Sequence, residues 1–409
     1  MSMSDEKTLM EKFVALAGEL EAALNNILHY WVSNAVDQVN GGFAGEIDND
    51  NNPRPGAAKG LVLSSRILWA FSAAANIRKD RSLMQLAQRA YLYIRDHFID
   101  RGYGGAYWSL TAEGDKLDGR KQTYGIAFCI YGLSEYVKLT ADKEALELAR
   151  KLYADLEQYA VDKNGKGYIE AFTESWGPVE DLRLSDKDAN TPKTTNTHLH
   201  VVEAYAALYR VWPDAGLSGR IKDLLKIFDQ EIIDKQTGHL KLFFSREWKP
   251  VISAYSLGHD IEAAWLLQHC ASVLDDKTCL ERFKILAVKI SEAVLDGVDK
   301  DGGLFYETDV VSGTINKEKH WWVQAEAMVG FFNAYQLTND PLYVQYLLHT
   351  WDFIKEHIID RKYGEWFWGV TGEYNKMNEP KVGFWKCPYH NARACLELVS
   401  RIRDVLKVI

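Results

Sequence analysis

Six short phrases of one kind recur along the chain, and their spacing restricts its fold more than any other feature. They read GGFAGEI (41–47), GGAYWSL (104–110), GKGYIEAF (165–172), GHLKLFF (238–244), GGLFYE (302–307) and GEWFWG (364–369). Measured at Phe43, Tyr107, Tyr168, Leu240, Leu304 and Trp366, successive phrases lie 64, 61, 72, 64 and 62 residues apart. Each joins turn-forming glycine to an alternating apolar run, the pattern of a turn entering a short strand. Two long amphipathic segments fill each interval. A unit of two helices and a hairpin cannot bury its apolar face alone, so its neighbours must cover it. No polar capping repeat stands at either end, and the six units predict a closed ring, one domain over 1–409.

The first helices of the units are expected at about 7–33, 80–99, 142–160, 215–233, 279–297 and 341–359. Stretches such as QLAQRAYLY (85–93) and RFKILAVKI (282–290) are apolar on one side and charged on the other, which suits an outer layer. The second helices are expected at about 58–77, 121–139, 195–212, 257–273, 321–337 and 388–404. They are rich in small and apolar residues, as in LSSRILWAFSAAA and YGIAFCIYGLSEY, and belong inside. Six inner and six outer helices make an all-α (α/α)6 barrel with short hairpins at one end.

Thirteen Trp and 21 Tyr exceed what such a core consumes, and a flat ring also covers the C–H face of a pyranose. The formal net charge of −9, with no basic stripe, argues against nucleic acid as a partner. The start, MSMSDEKTLMEKF, has no positive segment followed by an apolar one, and no run of 18 apolar residues occurs. A cytoplasmic protein without membrane association is expected, a monomer or a dimer. Cys129, Cys270, Cys279, Cys387 and Cys395 form no CxxC pair and no zinc spacing, so they read as reduced core thiols.

In this ring every inner helix begins just after its hairpin, so all six N-termini open on one end. Polar residues gather there: Arg66, Gln122 and Tyr124, Asn196 with His198 and His200, His259 with Glu262, Trp322 with Glu326, and His390 with Arg393. Such groups are costly to bury unless paired or used. A hydrogen-bonded core residue is the plainer reading of any one of them; one from every repeat at the same height is a pocket. His200, His259 and His390 sit early on three different inner helices and are the candidate acid/base groups. His198, two residues from His200, points elsewhere on its helix and reads as structural. His259 and Glu262 are three apart, so the carboxylate can hold one imidazole nitrogen and leave the other as a base. Neither HExxH nor another compact triplet favours a metal, and no cofactor is expected. Asp188, Glu262, Glu326 and Glu373 leave a second reading open, glycoside hydrolysis by paired acids, or else they orient histidines, arginines and sugar hydroxyls. A carbohydrate-binding protein without catalysis is a third.

The stretches RKQTYGIAFCIYGLSEY (120–136), TNTHLHVVEAYAALYR (195–210), LGHDIEAAWLL (257–267), KHWWVQAEAMVGF (319–331), YGEWFWGV (363–370) and WKCPYHNARACLE (385–397) resemble the cellobiose 2-epimerases. That family stands with the N-acylglucosamine 2-epimerases and aldose–ketose isomerases, and the resemblance covers nearly the whole chain. It implies an (α/α)6 barrel that needs no metal and turns the reducing-end glucose of β-1,4-linked disaccharides into mannose. It implies that His259 and His390 are the general acid/base pair and His200 a further pocket histidine. Arg66, Tyr124, Asn196, Glu262 and Trp322 would hold the reacting sugar, and Trp385 would stack on the second one. With Asp188 and Glu326 these complete the expected site, and Arg66 is expected to steady the negative oxygen of an enediolate. Cellobiose, lactose and mannobiose are the expected substrates, with slow isomerisation to a ketose alongside.

Overall fold

A computed structural model describes residues 3–408. Among them twelve α-helices follow in order: α1 (Met3–Asn34), α2 (Leu61–Arg78), α3 (Arg81–Tyr93), α4 (Thr123–Thr140), α5 (Lys143–Asp155), α6 (Thr195–Val211), α7 (Ala215–Ile227), α8 (Leu257–Ser272), α9 (Lys277–Val294), α10 (Trp321–Thr338), α11 (Pro341–Phe353) and α12 (Tyr389–Val408). The even-numbered helices form the inner ring: α2 packs on α4, α4 on α6, and so on until α12 returns to α2. Each odd-numbered helix lies outside one of them, α3 on α2, α5 on α4, α7 on α6, α9 on α8 and α11 on α10. The outer partner of α12 is α1, from the opposite end of the chain. This is the (α/α)6 barrel.

Burial explains the sorting. In α10 the run from Val323 to Tyr335 is buried without a break, so no face is left for water. In α3 only Leu83, Ala87, Ala90, Tyr91 and Tyr93 are buried, one stripe of an amphipathic helix. No helix among the described residues is long and apolar enough to cross a membrane. All five cysteines are free, and four of them are buried.

Inner and outer helices join through tight turns at one end of the barrel. Lys79, Ala141 and Asn339 take left-handed φ values of 53°, 57° and 57°, which ends each inner helix. The next residue is the N-cap of the outer helix: Asp80, Asp142 and Asp340, with Asp214 and Asp276 in the same role, accept from backbone N–H groups of the first turn.

The opposite end carries the phrases. Four outer helices widen there into π turns, Ile94–Phe98, Leu156–Ala160, Phe228–Ile232 and Ile354–Ile358. With these included, no helix end departs from the sequence expectation by more than four residues. Each phrase folds back on the helix before it through a single bridge: Val36 to Phe43, Ile99 to Ala106, Val161 to Tyr168, Ile233 to Leu240, Val298 to Leu304 and Ile359 to Trp366. The second reference point is therefore Ala106, not Tyr107, and the first two intervals are 63 and 62 residues. At Gly42, with φ of 60°, an added Cβ would stand 2.7 Å from the Tyr93 ring, so only glycine fits under that ring.

Each phrase then pairs with the residues leading into the preceding inner helix, as Ser109 and Leu110 do with Gly60 and Lys59. The same pairing recurs at 121–122 with 171–172, 193–194 with 243–244, 254–256 with 307–309, and 319–320 with 369–370. A bridge between Ile47 and Val382 closes the circle. Buried lysines brace it: Lys59 on Asp37 (2.8 Å), Lys121 on Asp100 (2.6 Å), Lys193 on Asp162 (2.9 Å), Lys319 on Asp299 (2.7 Å), and Lys381 on Asp360.

Candidate active site

The inner-helix N-termini surround a cavity of about 430 Å³. Ten of the eleven residues expected at the site line it: Arg66, Tyr124, Asp188, Asn196, His200, His259, Glu262, Trp322, Trp385 and His390. Glu326 stands behind the wall, where it holds His390. Glu373 is exposed on a loop, bonded to Thr371, and takes no part. His198 is a fixture of the scaffold: its Nε2 accepts the Tyr168 N–H at 2.9 Å and its Nδ1 meets the Thr194 carbonyl at 2.7 Å.

Three imidazoles face the cavity on different terms. His390 presents Nδ1 to Glu326 Oε1 at 2.7 Å, and His200 presents Nδ1 to Glu203 Oε2 at 2.8 Å. The Nδ1 of His259 is buried with no hydrogen-bond partner. The expected His259–Glu262 bond is therefore not formed, although the pair has the same three-residue spacing as His200 and Glu203. Glu262 is held instead by Arg393, whose Nη2 donates to Glu262 Oε1 at 2.8 Å and to Glu326 Oε1 at 2.7 Å. Its Nη1 donates to Glu203 Oε1 at 2.6 Å, and Tyr389 Oη donates to the same carboxylate at 2.9 Å. A guanidinium fork thus joins three carboxylates from three helices, the geometry for which arginine is suited. Glu262, Glu326 and His390 offer donor atoms within 4.8 Å of one another, and Arg393 bonds both carboxylates of that group.

Burial sets the protonation of this layer. It pushes His259 and His390 down to about 3, against the opposing pull of Glu326 on both, and it lowers His200 as well. Burial also drives Glu262 up to about 8, reinforced by the charge of Glu326. Glu326 goes the other way, to about 2, because Arg393 and the His390 bond outweigh its burial. The three imidazoles are accordingly neutral near pH 7.

Arg66 makes no ion pair among the described residues. Nη2 donates to Tyr124 Oη at 2.8 Å and Nη1 to the Trp385 carbonyl at 3.4 Å, while the guanidinium lies 4.2 Å from the Phe128 ring centre and 4.9 Å from that of Tyr389. A buried cation braced by aromatic faces keeps its field for a ligand. Asn196 Oδ1 is buried and unpartnered. Asp188 accepts from the Ser185 N–H and hydroxyl, both at 2.9 Å, which folds its loop over the cavity. Trp322 lies between two of the histidines, 5.0 Å from the His259 ring and 5.7 Å from that of His390. Trp385 packs on Trp108 and Phe384 and leaves part of its indole open at the rim.

Sequence reasoning passed over Glu203, although the His200-x-x-Glu203 spacing signals it, and it gave Arg393 no role. The lysine braces also carry a signal: in four units the lysine stands two residues before an inner helix.

The family model for N-acylglucosamine 2-epimerase (GlcNAc 2-epimerase) matches residues 41–394. A cellobiose 2-epimerase of Bacteroides fragilis is 45% identical over 376 residues, spanning 91% of this chain and 96% of its own length. The chain belongs to the cellobiose 2-epimerase family. Another member, from Dictyoglomus turgidum, is 40% identical over 95% of the chain and 99% of its own. The solved cellobiose 2-epimerase of Bacillus thermoamylovorans superposes with a TM-score of 0.90 at 38% identity, covering 95% of this chain and 99% of that one. Cellobiose 2-epimerases therefore share both the barrel and the length of this chain.

Proposed function

We propose that the protein inverts C2 of the reducing-end sugar of a β-1,4-linked disaccharide, glucose to mannose and back. The observation that carries this reading is the placement of His259 and His390, on different helices, on either side of Trp322 in one cavity. C2 of an aldose becomes acidic once the ring has opened to the C1 aldehyde. One histidine removes the C2 proton, leaving a cis-enediolate, and the other returns a proton to the opposite face. Two bases on separate walls suit that inversion. His200, steadied through Nδ1 by Glu203, exchanges a proton with O1 or the ring oxygen in this reading. Arg66 supplies positive charge to the enediolate oxygen in a shielded site.

Hydrolysis is the weaker reading. Paired glycosidase acids stand about 5–5.5 Å or about 6.5–9.5 Å apart with oxygens free for the glycosidic bond or a water. Here Glu262 and Glu326 crowd within 4.8 Å and share one arginine nitrogen. The relatives' names support cellobiose as a substrate, and the open indole of Trp385 suits the second sugar.

Incubation with lactose in D2O tests the proposal. Epilactose carrying deuterium at C2, with a slower trickle of lactulose, is the expected result. Galactose plus glucose would establish hydrolysis, and no turnover would leave a binding protein.

A further inference from the structure

The fourth unit of the ring is built differently from its neighbours, and it is the unit whose inner helix carries His259. In units three to five, the fourth residue of the inner helix accepts the N–H of the phrase's apolar residue. Tyr168 donates to His198 at 2.9 Å, Leu240 to Asp260 at 2.8 Å and Leu304 to Gln324 at 2.7 Å. Two of these acceptors are neutral; Asp260 is a fully buried carboxylate. The lysine brace is also missing there, since Tyr255 occupies the position held by Lys193 and Lys319 in the flanking units. In its place His239 lies flat on Tyr255, ring centres 3.7 Å apart at 7°, and its Nδ1 meets Asp260 Oδ2 at 2.7 Å.

The location matters because His259 Nδ1 has no hydrogen-bond partner among the described residues. His200 and His390 are each aimed by a carboxylate on that atom; His259 takes its direction from the backbone of the first turn of α8. That turn is tied by Asp260 to the fourth phrase and by the Ser256 hydroxyl, which accepts the His259 N–H at 3.4 Å. Trp322 presses on the same turn, for a Cβ on Gly258 would stand 2.4 Å from its ring. We propose that His239 and Asp260 are positioning residues for His259, a histidine–carboxylate bracket that fixes the first turn of α8 and so the direction of the imidazole in the cavity. The proposal rests on the reading of His259 as a proton-transfer group. Asp260 satisfies the turn only while a donor holds its second oxygen, because a buried carboxylate left half-bonded is costly.

The test compares His239→Ala, His239→Asn, Asp260→Asn and Thr350→Ala for cellobiose epimerisation, with Tm measured on each. His239→Asn keeps an N–H near the Nδ1 position; Thr350→Ala removes a buried bond to the Gly302 carbonyl, between residues that do not line the cavity, and serves as the stability control. Misaiming a base by a fraction of an ångström acts on the transition state, so H239A should lose about tenfold or more in kcat with KM nearly unchanged. H239N should recover most of that loss, and T350A should lower Tm alone. A folded H239A with wild-type kcat overturns the proposal, as does a loss that H239N fails to restore. Should H239A not fold, D260N carries the same comparison, since it keeps the Leu240 acceptor and changes only what His239 meets. A crystal structure of H239A, or of D260N in its place, separates this inference from the functional reading. A wild-type enzyme that makes no epimer, or an undiminished H259A, removes that reading, while an unmoved His259 ring removes the bracket.

Discussion

His390 and Glu326 meet across the interior of the barrel, imidazole Nδ1 to carboxylate Oε1 at 2.7 Å, and the same oxygen accepts from Arg393. The carboxylate so held stays ionised and fixes the ring with its other nitrogen toward the cavity. A ring bonded in this way resists turning about its side-chain torsions.

Replacing Glu326 by Gln preserves shape and removes the charge behind His390. Loss of such a supporting partner costs about 10–100-fold, and the fall should appear in kcat of cellobiose epimerisation with little change in KM. H390A and H259A should each fall by orders of magnitude; either one retaining more than about a tenth of wild-type kcat would refute the two-base assignment.

Arg66 makes no ion pair among the described residues and lines the cavity. R66K keeps the charge but loses the fork that reaches Tyr124 Oη and the Trp385 carbonyl together. A fall in kcat of about 10²-fold is expected. Full kcat with a lowered Tm in R66K would make the residue a support for the aromatic layer alone.

Trp385 offers the second sugar an apolar face. Covering that face should be worth about 1–3 kcal/mol, gained equally in ground and transition states. W385A should therefore raise KM for cellobiose and leave turnover of free glucose nearly unchanged. Equal losses on both sugars would put the indole beside the reacting ring.

His198 gives the fold an acid limit. Its Nε2 accepts the Tyr168 N–H, so only the neutral ring fits, and burial lowers it to about 4. The unfolded chain takes up that proton near pH 6.5, so this stabilisation is whole above about 6.5 and is lost as pH falls toward 4. Gln324 performs the same task in α10 without titrating. H198Q should match the wild type in urea midpoint at pH 7 and lose less between pH 6.5 and 4.5; an unchanged slope would assign the acid limit to other groups.

The ring and its two layers were legible in the sequence because both rest on period: glycine phrases at nearly even steps, and helices apolar on one side or on all. The height of the pocket residues followed from the same count. What the sequence left undecided was which partners meet. Glu203 and Glu262 stand in identical spacing to a histidine and both accept from Arg393, yet only Glu203 also bonds its own histidine. The bracket at His239 was hidden for a similar reason: its partner Asp260 belongs to the next helix, twenty-one residues on. Glu326, expected at the site, stands behind its wall because His390, Arg393 and Trp265 occupy its carboxylate.

The joining of α1 to α12 has a bearing on how the protein comes into being. Trp31 donates to Glu365 across 334 residues, and Ile47 bridges to Val382. His390 and Arg393 lie on α12, and its outer partner is α1. Neighbouring units can stack one on the next, but His259 and His390 face one cavity only once α12 has docked. Until α1 and α12 meet, the units form an open stack and the cavity lacks its sixth wall.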